Sequence, residues 1–181
     1  TLIGTSDKEG HPNLAIFSNI VHIGSDPALI GYINRPKEAA PHTLSNIEAT
    51  GVYTMNHIHT SFIEKAHQTS AKYEENESEF DEVGLTVDWK EGILAPFVLE
   101  SKVKYAMQLE EIVPIKQNGT FLVIGTVQDV FVDETILDND GYLHIENSGS
   151  IASLGIDGYY ETRLLARFRY AKPYKTTEKI N

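Results

Sequence analysis

Two segments of this chain gather side chains that could hold an anionic, aromatic ligand. In Arg35-Pro-Lys-Glu-Ala-Ala-Pro-His-Thr-Leu-Ser-Asn-Ile47, a guanidinium, an imidazole and a hydroxyl (Arg35, His42, Thr43) meet where a helix is expected to begin. A helix start offers free backbone N–H groups and the positive end of the dipole. With Arg35, His42 and Thr43 beside it, that end would form a small positive pocket suited to a phosphate dianion. A plainer account of the same residues is also open: Thr43 only caps the helix, Arg35 pairs with Glu38 or Glu48, and His42 lies on the surface.

The second segment is Asn13-Leu-Ala-Ile-Phe-Ser-Asn19. Read as a strand, it puts Asn13, Ala15, Phe17 and Asn19 on one face and Leu14, Ile16 and Ser18 on the other, so polar residues occur on both sides. Ala15 is small enough to let a flat ring approach the backbone, while Asn13, Ser18 and Asn19 offer donors and acceptors to the edges of a polar heterocycle. An edge strand with solvated Asn and Ser is the alternative.

Other groupings carry less. His57-Ile-His59, with Glu64 and His67 nearby, has some of the ligands of a metal site, but two histidines at a strand end read better as surface or pocket wall, and no metal is expected. Asp138-Asn-Asp-Gly141 has part of a calcium loop, yet position 12, where a bidentate Glu belongs, falls on Gly149, so turn chemistry is the better account. No Gly-x-Gly-x-x-Gly turn is present, and so no separate dinucleotide-binding domain is encoded.

Composition limits the framework that positions these residues. With 181 residues, 41% of them hydrophobic, the chain can bury one ordinary core, and one domain over 1–181 with a tail at 171–181 is expected. A formal charge of −11, from 15 basic and 26 acidic residues, opposes nucleic-acid binding. The lack of cysteine excludes disulfides, thiolate catalysis and Cys-ligated clusters, and suits a reducing cytoplasm. No apolar run reaches the roughly 20 residues that span a bilayer, so no membrane contact is expected. The chain opens at Thr1 inside an apolar stretch, and its native N-terminus is expected to lie further upstream.

The elements read mainly as strands. Leu2–Thr5 turns through Ser6-Asp-Lys-Glu-Gly10 into the stretch starting at Asn13; residues 14–23 and 28–34 are apolar and β-branched, with Gly24-Ser-Asp-Pro27 between them. Alternation from Val98 to Ile115, the Asn118-Gly119 turn and Thr120–Val132 predict a long hairpin, and Arg163–Tyr170 a final strand. Thr43–Ala49 predicts a short helix ended by Gly51, residues 61–68 a second, and the acidic run Glu74–Glu82 a solvated face pinned by Phe80. Many strands without strand–helix alternation predict a mainly β fold, an antiparallel barrel with peripheral helices.

The chain resembles the flavin reductase-like, FMN-binding split-barrel family, which includes the flavoredoxins. The resemblance runs through Thr5-x-x-x-x-Gly10-x-x-Asn13-Leu-Ala, Ser25-Asp-Pro27, Arg35-Pro36, His42-Thr43-x-x-Asn46-Ile47 and Thr50-Gly51-x-Tyr53-x-x-Asn56. It continues in Ser70, Glu79-Phe80, Gly84-Leu-Thr86, Ala95-Pro96, Glu100-Ser101 and Ile124-Gly-Thr-Val127. It implies a six-stranded antiparallel Greek-key barrel binding FMN, with FAD as an alternative, at a homodimer interface. By matching positions, Asn13, Leu14, Ala15, Phe17, Ser18 and Asn19 would line the ring and ribityl chain; Arg35, His42 and Thr43 would hold the phosphate; and Asn46 would brace the helix or reach the ligand. The implied activity carries electrons from NAD(P)H through the flavin to a free flavin, a metal complex or a protein acceptor. Tyr159-Tyr160 would then close the mouth over the flavin or serve as core and interface aromatics. Many such reductases carry an Asp-His pair just before the strand that ends in Ile-Gly-x-Val; here those positions are Gly119 and Thr120. A non-enzymatic FMN protein that stores flavin or relays electrons is therefore the competing reading.

Overall fold

The computed structural model describes residues 1–39, 41–74 and 76–180. In chain order its elements are β1 (Leu2–Ser6), β2 (Pro12–Ile16), β3 (Ile20–Ser25), β4 (Ala28–Asn34), α1 (Pro41–Thr50), β5 (Val52–Asn56), α2 (Ile63–Gln68) and α3 (Glu79–Val83). Then follow β6 (Val87–Asp88), β7 (Phe97–Val98), the long pair β8 (Val103–Ile115) and β9 (Thr120–Val132), β10 (Ile151–Leu154), β11 (Gly158–Glu161), β12 (Arg167–Phe168) and β13 (Lys179–Ile180).

Seven strands form one antiparallel sheet in the order β2-β1-β5-β8-β9-β4-β3, one more than the six expected. The additional strand comes from residues 14–23, read above as a single run. The structure breaks this run at Phe17–Asn19: β2 pairs with β1, with Leu2 opposite Ile16, while β3 pairs with β4, with Ile20 opposite Tyr32. The two edge strands are therefore consecutive in the chain, and the sheet must curl until its edges nearly meet. Register shifts in the β8–β9 ladder, at Ala106/Met107 and Leu109/Glu111, add the bend that curling needs. The hairpin between these strands closes at Asn118-Gly119 as expected, with Gly119 at φ 72° and its N–H donating to the Ile115 carbonyl at 3.0 Å.

β1 lies between two apolar clusters and is buried along its whole length. Ile3 joins Phe17 from the break and Tyr32, Tyr53, Met55, Met107 and Val123 from strands around the sheet, and together they fill the barrel; Leu44 and Ile47 of α1 close one end. Leu2 points the other way, into Leu14, Ile58, Phe62, Ala66, Phe80, Val83 and Val98, beneath α2 and α3. The predicted helix at Thr43–Ala49 extends to Pro41–Thr50: proline starts it, where its missing N–H costs nothing, and Gly51 ends it at φ 73° with its N–H on the Ile47 carbonyl at 2.8 Å. The final strand expected at Arg163–Tyr170 shrinks to Arg167–Phe168, and its partner is Lys179–Ile180 from the tail.

The two histidines of His57-Ile-His59 point to different neighbours. His57 is enclosed between Ser150, whose Oγ is 3.2 Å from Nδ1, and the Tyr105 hydroxyl, 3.4 Å from Nε2. His59 Nδ1 instead accepts the Ser61 N–H at 3.0 Å. Among the described residues no group of three or more His, Asp or Glu side chains is placed to hold a metal ion. Asp138 and Asp140 face Arg167 at 3.4 and 2.5 Å in a turn closed by the Gly141 N–H on the Asp138 carbonyl at 2.9 Å.

Two stability predictions follow from this packing. A methyl group on Gly4 would run into the Pro96 carbonyl oxygen and the Thr54 hydroxyl, which are already hydrogen-bonded to each other at 2.6 Å. Gly4→Ala should thus cost about 1–3 kcal/mol in chemical denaturation, and an unchanged midpoint would show that the Pro96 segment yields freely. Burial pushes the His57 imidazole from 6.5 down to about 4. As pH falls, the unfolded chain takes up this proton first, so stability from this group declines from about pH 6.5 and levels off near pH 4. His57→Gln should flatten that part of the stability–pH curve.

Candidate functional site

The break between β2 and β3 opens into a cleft of about 190 Å³. Its lining includes Asn13 and Ala15 from β2; Phe17, Ser18 and Asn19 from the break; Arg35 just past β4; and His42 and Thr43 from the first turn of α1. The two segments singled out in the sequence thus face one cavity. Period-two alternation on β2 sends Asn13 and Ala15 toward it and Leu14 away.

Two of the candidate residues lie elsewhere. Leu14 is fully buried in the cluster beneath α2 and α3, because β2 is covered on its second face as well, so its side chain cannot touch a ligand in the cleft. Asn46 is one turn along α1 from His42 and faces a neighbouring groove with Asp7 and His11. Its amide donates to the Thr5 hydroxyl at 3.2 Å, a contact that braces α1 against β1. Asn13 donates to the same Thr5 oxygen at 3.1 Å and to the Thr43 hydroxyl at 3.3 Å. Three elements, β1, β2 and α1, are tied together at the wall of the cleft by these contacts.

The charged end is assembled locally. Thr43 is buried, His42 half-buried and Arg35 exposed. The pairing of Arg35 with Glu48 does not form: Lys37 takes both oxygens of Glu48 at 2.8 and 2.7 Å, and Arg35 makes no ion pair among the described residues. Of the first helical N–H groups, Pro41 supplies none, while those of His42 and Thr43 precede the first intrahelical bond.

Sequence reasoning missed a further stretch of the wall. Thr69 to Tyr73, after α2, complete one side and bring Lys72 with them; these residues are polar and without periodicity, and only Ser70 stood among the resembling positions. Glu79 also lines the cleft, although the acidic run around it reads as solvated: Phe80, fully buried, draws the start of α3 inward. The tip of the β10–β11 hairpin carries Ile156 to the cleft mouth. In this hairpin Tyr159 turns its hydroxyl to His67 Nδ1 at 2.7 Å, whereas Tyr160 is exposed. At the β8–β9 turn, the Thr120 hydroxyl donates to Asn118 Oδ1 at 2.7 Å and is used by the turn itself.

Comparison with known proteins matches residues 1–150 to the family described as "Flavin reductase like domain". A flavin reductase-like split-barrel protein from Shewanella frigidimarina NCIMB 400 is 45% identical; the alignment covers 94% of this chain and 84% of that one, with a TM-score of 0.89. Nitrilotriacetate monooxygenase component B from Bacillus cereus is 25% identical over 90% of this chain and 83% of its own, with a TM-score of 0.82. Flavoredoxin of Desulfovibrio vulgaris (Miyazaki F) is 26% identical over 96% and 88%, with a TM-score of 0.78.

Proposed function

Since this chain belongs to the flavin reductase like domain family, we propose that its cleft holds FMN and that it works as a flavin-dependent oxidoreductase fed by NAD(P)H. The observation that carries this reading is the meeting of Arg35, His42, Thr43 and the start of α1 with a flat, small-residue wall at Ala15, in one cleft of a chain whose net charge is −11.

The residues present fit the group. A phosphate dianion would receive charge-assisted bonds from Arg35, from the free N–H groups of the first turn of α1 and from the hydroxyl of Thr43. Ala15, Ile16, Phe17 and Ile33 supply apolar surface for a ring, with Ser18 and Asn19 free to meet its polar edge. A bound flavin supplies hydride acceptance at N5 and release of electrons singly or in pairs. The chain's own part is to anchor the phosphate, orient the ring across the break and leave one face open to a donor. FAD would use the same anchor, with its second nucleotide outside the cleft.

The same reading includes a homodimer, which the size of the cleft and the exposed apolar surface support. About 190 Å³ is small against the roughly 300–1,000 Å³ usual for ligand sites, so a second wall is called for. The C-terminal part displays Leu154, Ile156, Leu165, Phe168 and Tyr170, all more than half exposed, and Ile156 already borders the cleft. A second copy of the chain covering this apolar arm would bury it and complete the mouth. No helix among the described residues is long and apolar enough to cross a membrane. The cysteine-free composition suits the reducing cytoplasm.

Thr120 favours the second reading, an FMN protein that carries electrons without turning over NAD(P)H. Its hydroxyl is spent on Asn118, and no imidazole stands there to meet a nicotinamide.

Two experiments test these statements. Arg35→Ala combined with Thr43→Val should weaken FMN binding by about 100-fold or more, from two lost bonds to a charged group at roughly 1.5–3 kcal/mol each; fluorescence titration giving the normal affinity would remove the phosphate site. Steady-state oxidation of NADH and NADPH with FMN, FAD or a ferric chelate should exceed the rate with free FMN alone. Turnover no faster than that background selects the carrier reading.

A further inference from the structure

Glu79 is a buried carboxylate in the cleft wall, only 7% exposed, apart from the residues that would hold the phosphate and the ring. It follows Ser78, whose hydroxyl donates to the Pro12 carbonyl at 2.8 Å, and its own Oε2 accepts the Leu14 N–H at 2.9 Å. These two contacts cap the outward edge of β2, beyond which the sheet has no further strand among the described residues. The Leu14 N–H takes one of about four lone-pair sites that an ionised carboxylate offers. Burial raises the carboxyl's pKa, while the N–H groups of Leu14 and of Glu79 itself, and the charge of His42, pull it back.

A carboxylate removed from water is costly unless donors reach its remaining lone pairs. Among the described residues no side chain donates to Glu79, and the cleft it borders is also lined by Asn13, His42 and Thr43. A ligand group that lies against it is therefore favoured when it donates hydrogen bonds and disfavoured when it is an anion. We infer that Glu79 is a specificity-determining residue that accepts hydrogen bonds from the ribityl hydroxyls of the flavin. This rests on the proposal that FMN sits with its phosphate at Arg35, His42 and Thr43. Given that placement, the chemistry is selective: the chain hydroxyls are the neutral donors next to the phosphate, whereas the ring's N3–H is at the far end of the molecule. Glu79 thereby joins the edge of β2 to recognition of a sugar-alcohol chain rather than of the ring alone.

The test compares FMN with an analogue that carries the same ring and a 5-phosphopentyl chain without hydroxyls, by calorimetric titration of the full chain. The wild-type protein should bind FMN at least about 10-fold more tightly than the analogue. Glu79→Gln retains a carbonyl oxygen for the Leu14 N–H but replaces a charged acceptor with a neutral one. It should weaken FMN and riboflavin each by roughly 5–20-fold and leave the analogue within about twofold. Equal losses for FMN and the analogue would reduce Glu79 to a structural clamp, and an unchanged FMN affinity would overturn the inference outright. Should Glu79→Gln fail to fold, the wild-type ratio still decides: equal affinities for FMN and the analogue overturn the role of Glu79 while leaving the flavin site standing. Failure of FMN itself to bind would instead strike the cofactor reading, and this inference with it.

Discussion

The rest of the structure depends on one constraint, that the two edge strands of a seven-stranded sheet follow each other directly in the chain. From Ile16 to Ile20 the backbone can reach at most about 14 Å, so the sheet must roll until its edges stand that close. Yet each end of the connector stays on its own side. The Phe17 N–H bonds to the Thr1 carbonyl at 2.8 Å, and the Asn19 carbonyl accepts the Ile33 N–H at 3.2 Å. The barrel is thus brought to the point of closing and left open along one seam. A cleft with backbone and short side chains at its floor, and with helix α1 at one end, follows from that geometry.

The cleft also has to work against the protein's own field. With a net charge of −11 and a neighbouring groove lined by Asp7, Glu74, Glu77 and Asp81, the long-range potential opposes an anion. At physiological salt that repulsion fades beyond about 8 Å, whereas contacts from Arg35, His42, Thr43 and the helix start act at hydrogen-bond range. Local donors can therefore dominate. The same surroundings explain why Glu79 disfavours an anionic group and suits a hydrogen-bond donor: a second anion beside it would be repelled at short range in a poorly solvated place.

Parts of this arrangement were legible in the sequence because their causes are local. Thr43, Leu44, Ile47 and Gly51 carry the capping and face signals of α1, and Asn118-Gly119 carries the hairpin turn. The order of motifs from Thr5 to Val127 was enough to indicate the family. The break at Phe17–Asn19 was not legible, since residues 14–23 form an apolar, β-branched run without Gly or Pro; which edge each half pairs with is decided by β1 and β4, distant in the chain. The inward direction of the Leu14 side chain was hidden for a related reason. One face of β2 meets the cleft and the other meets α2 and α3, and alternation alone does not say which face has the ligand. Glu79 looked like part of a solvated acidic run, and only the burial of Phe80 beside it reverses that reading.

A crystal structure of the protein grown with FMN tests the central claim most directly. The account predicts a flavin seated across the seam between β2 and β3, its ring against Ala15 and Phe17 and its phosphate within hydrogen-bond distance of Thr43, Arg35 and the first turn of α1. A flavin bound away from that seam, or a phosphate turned away from α1, would contradict it.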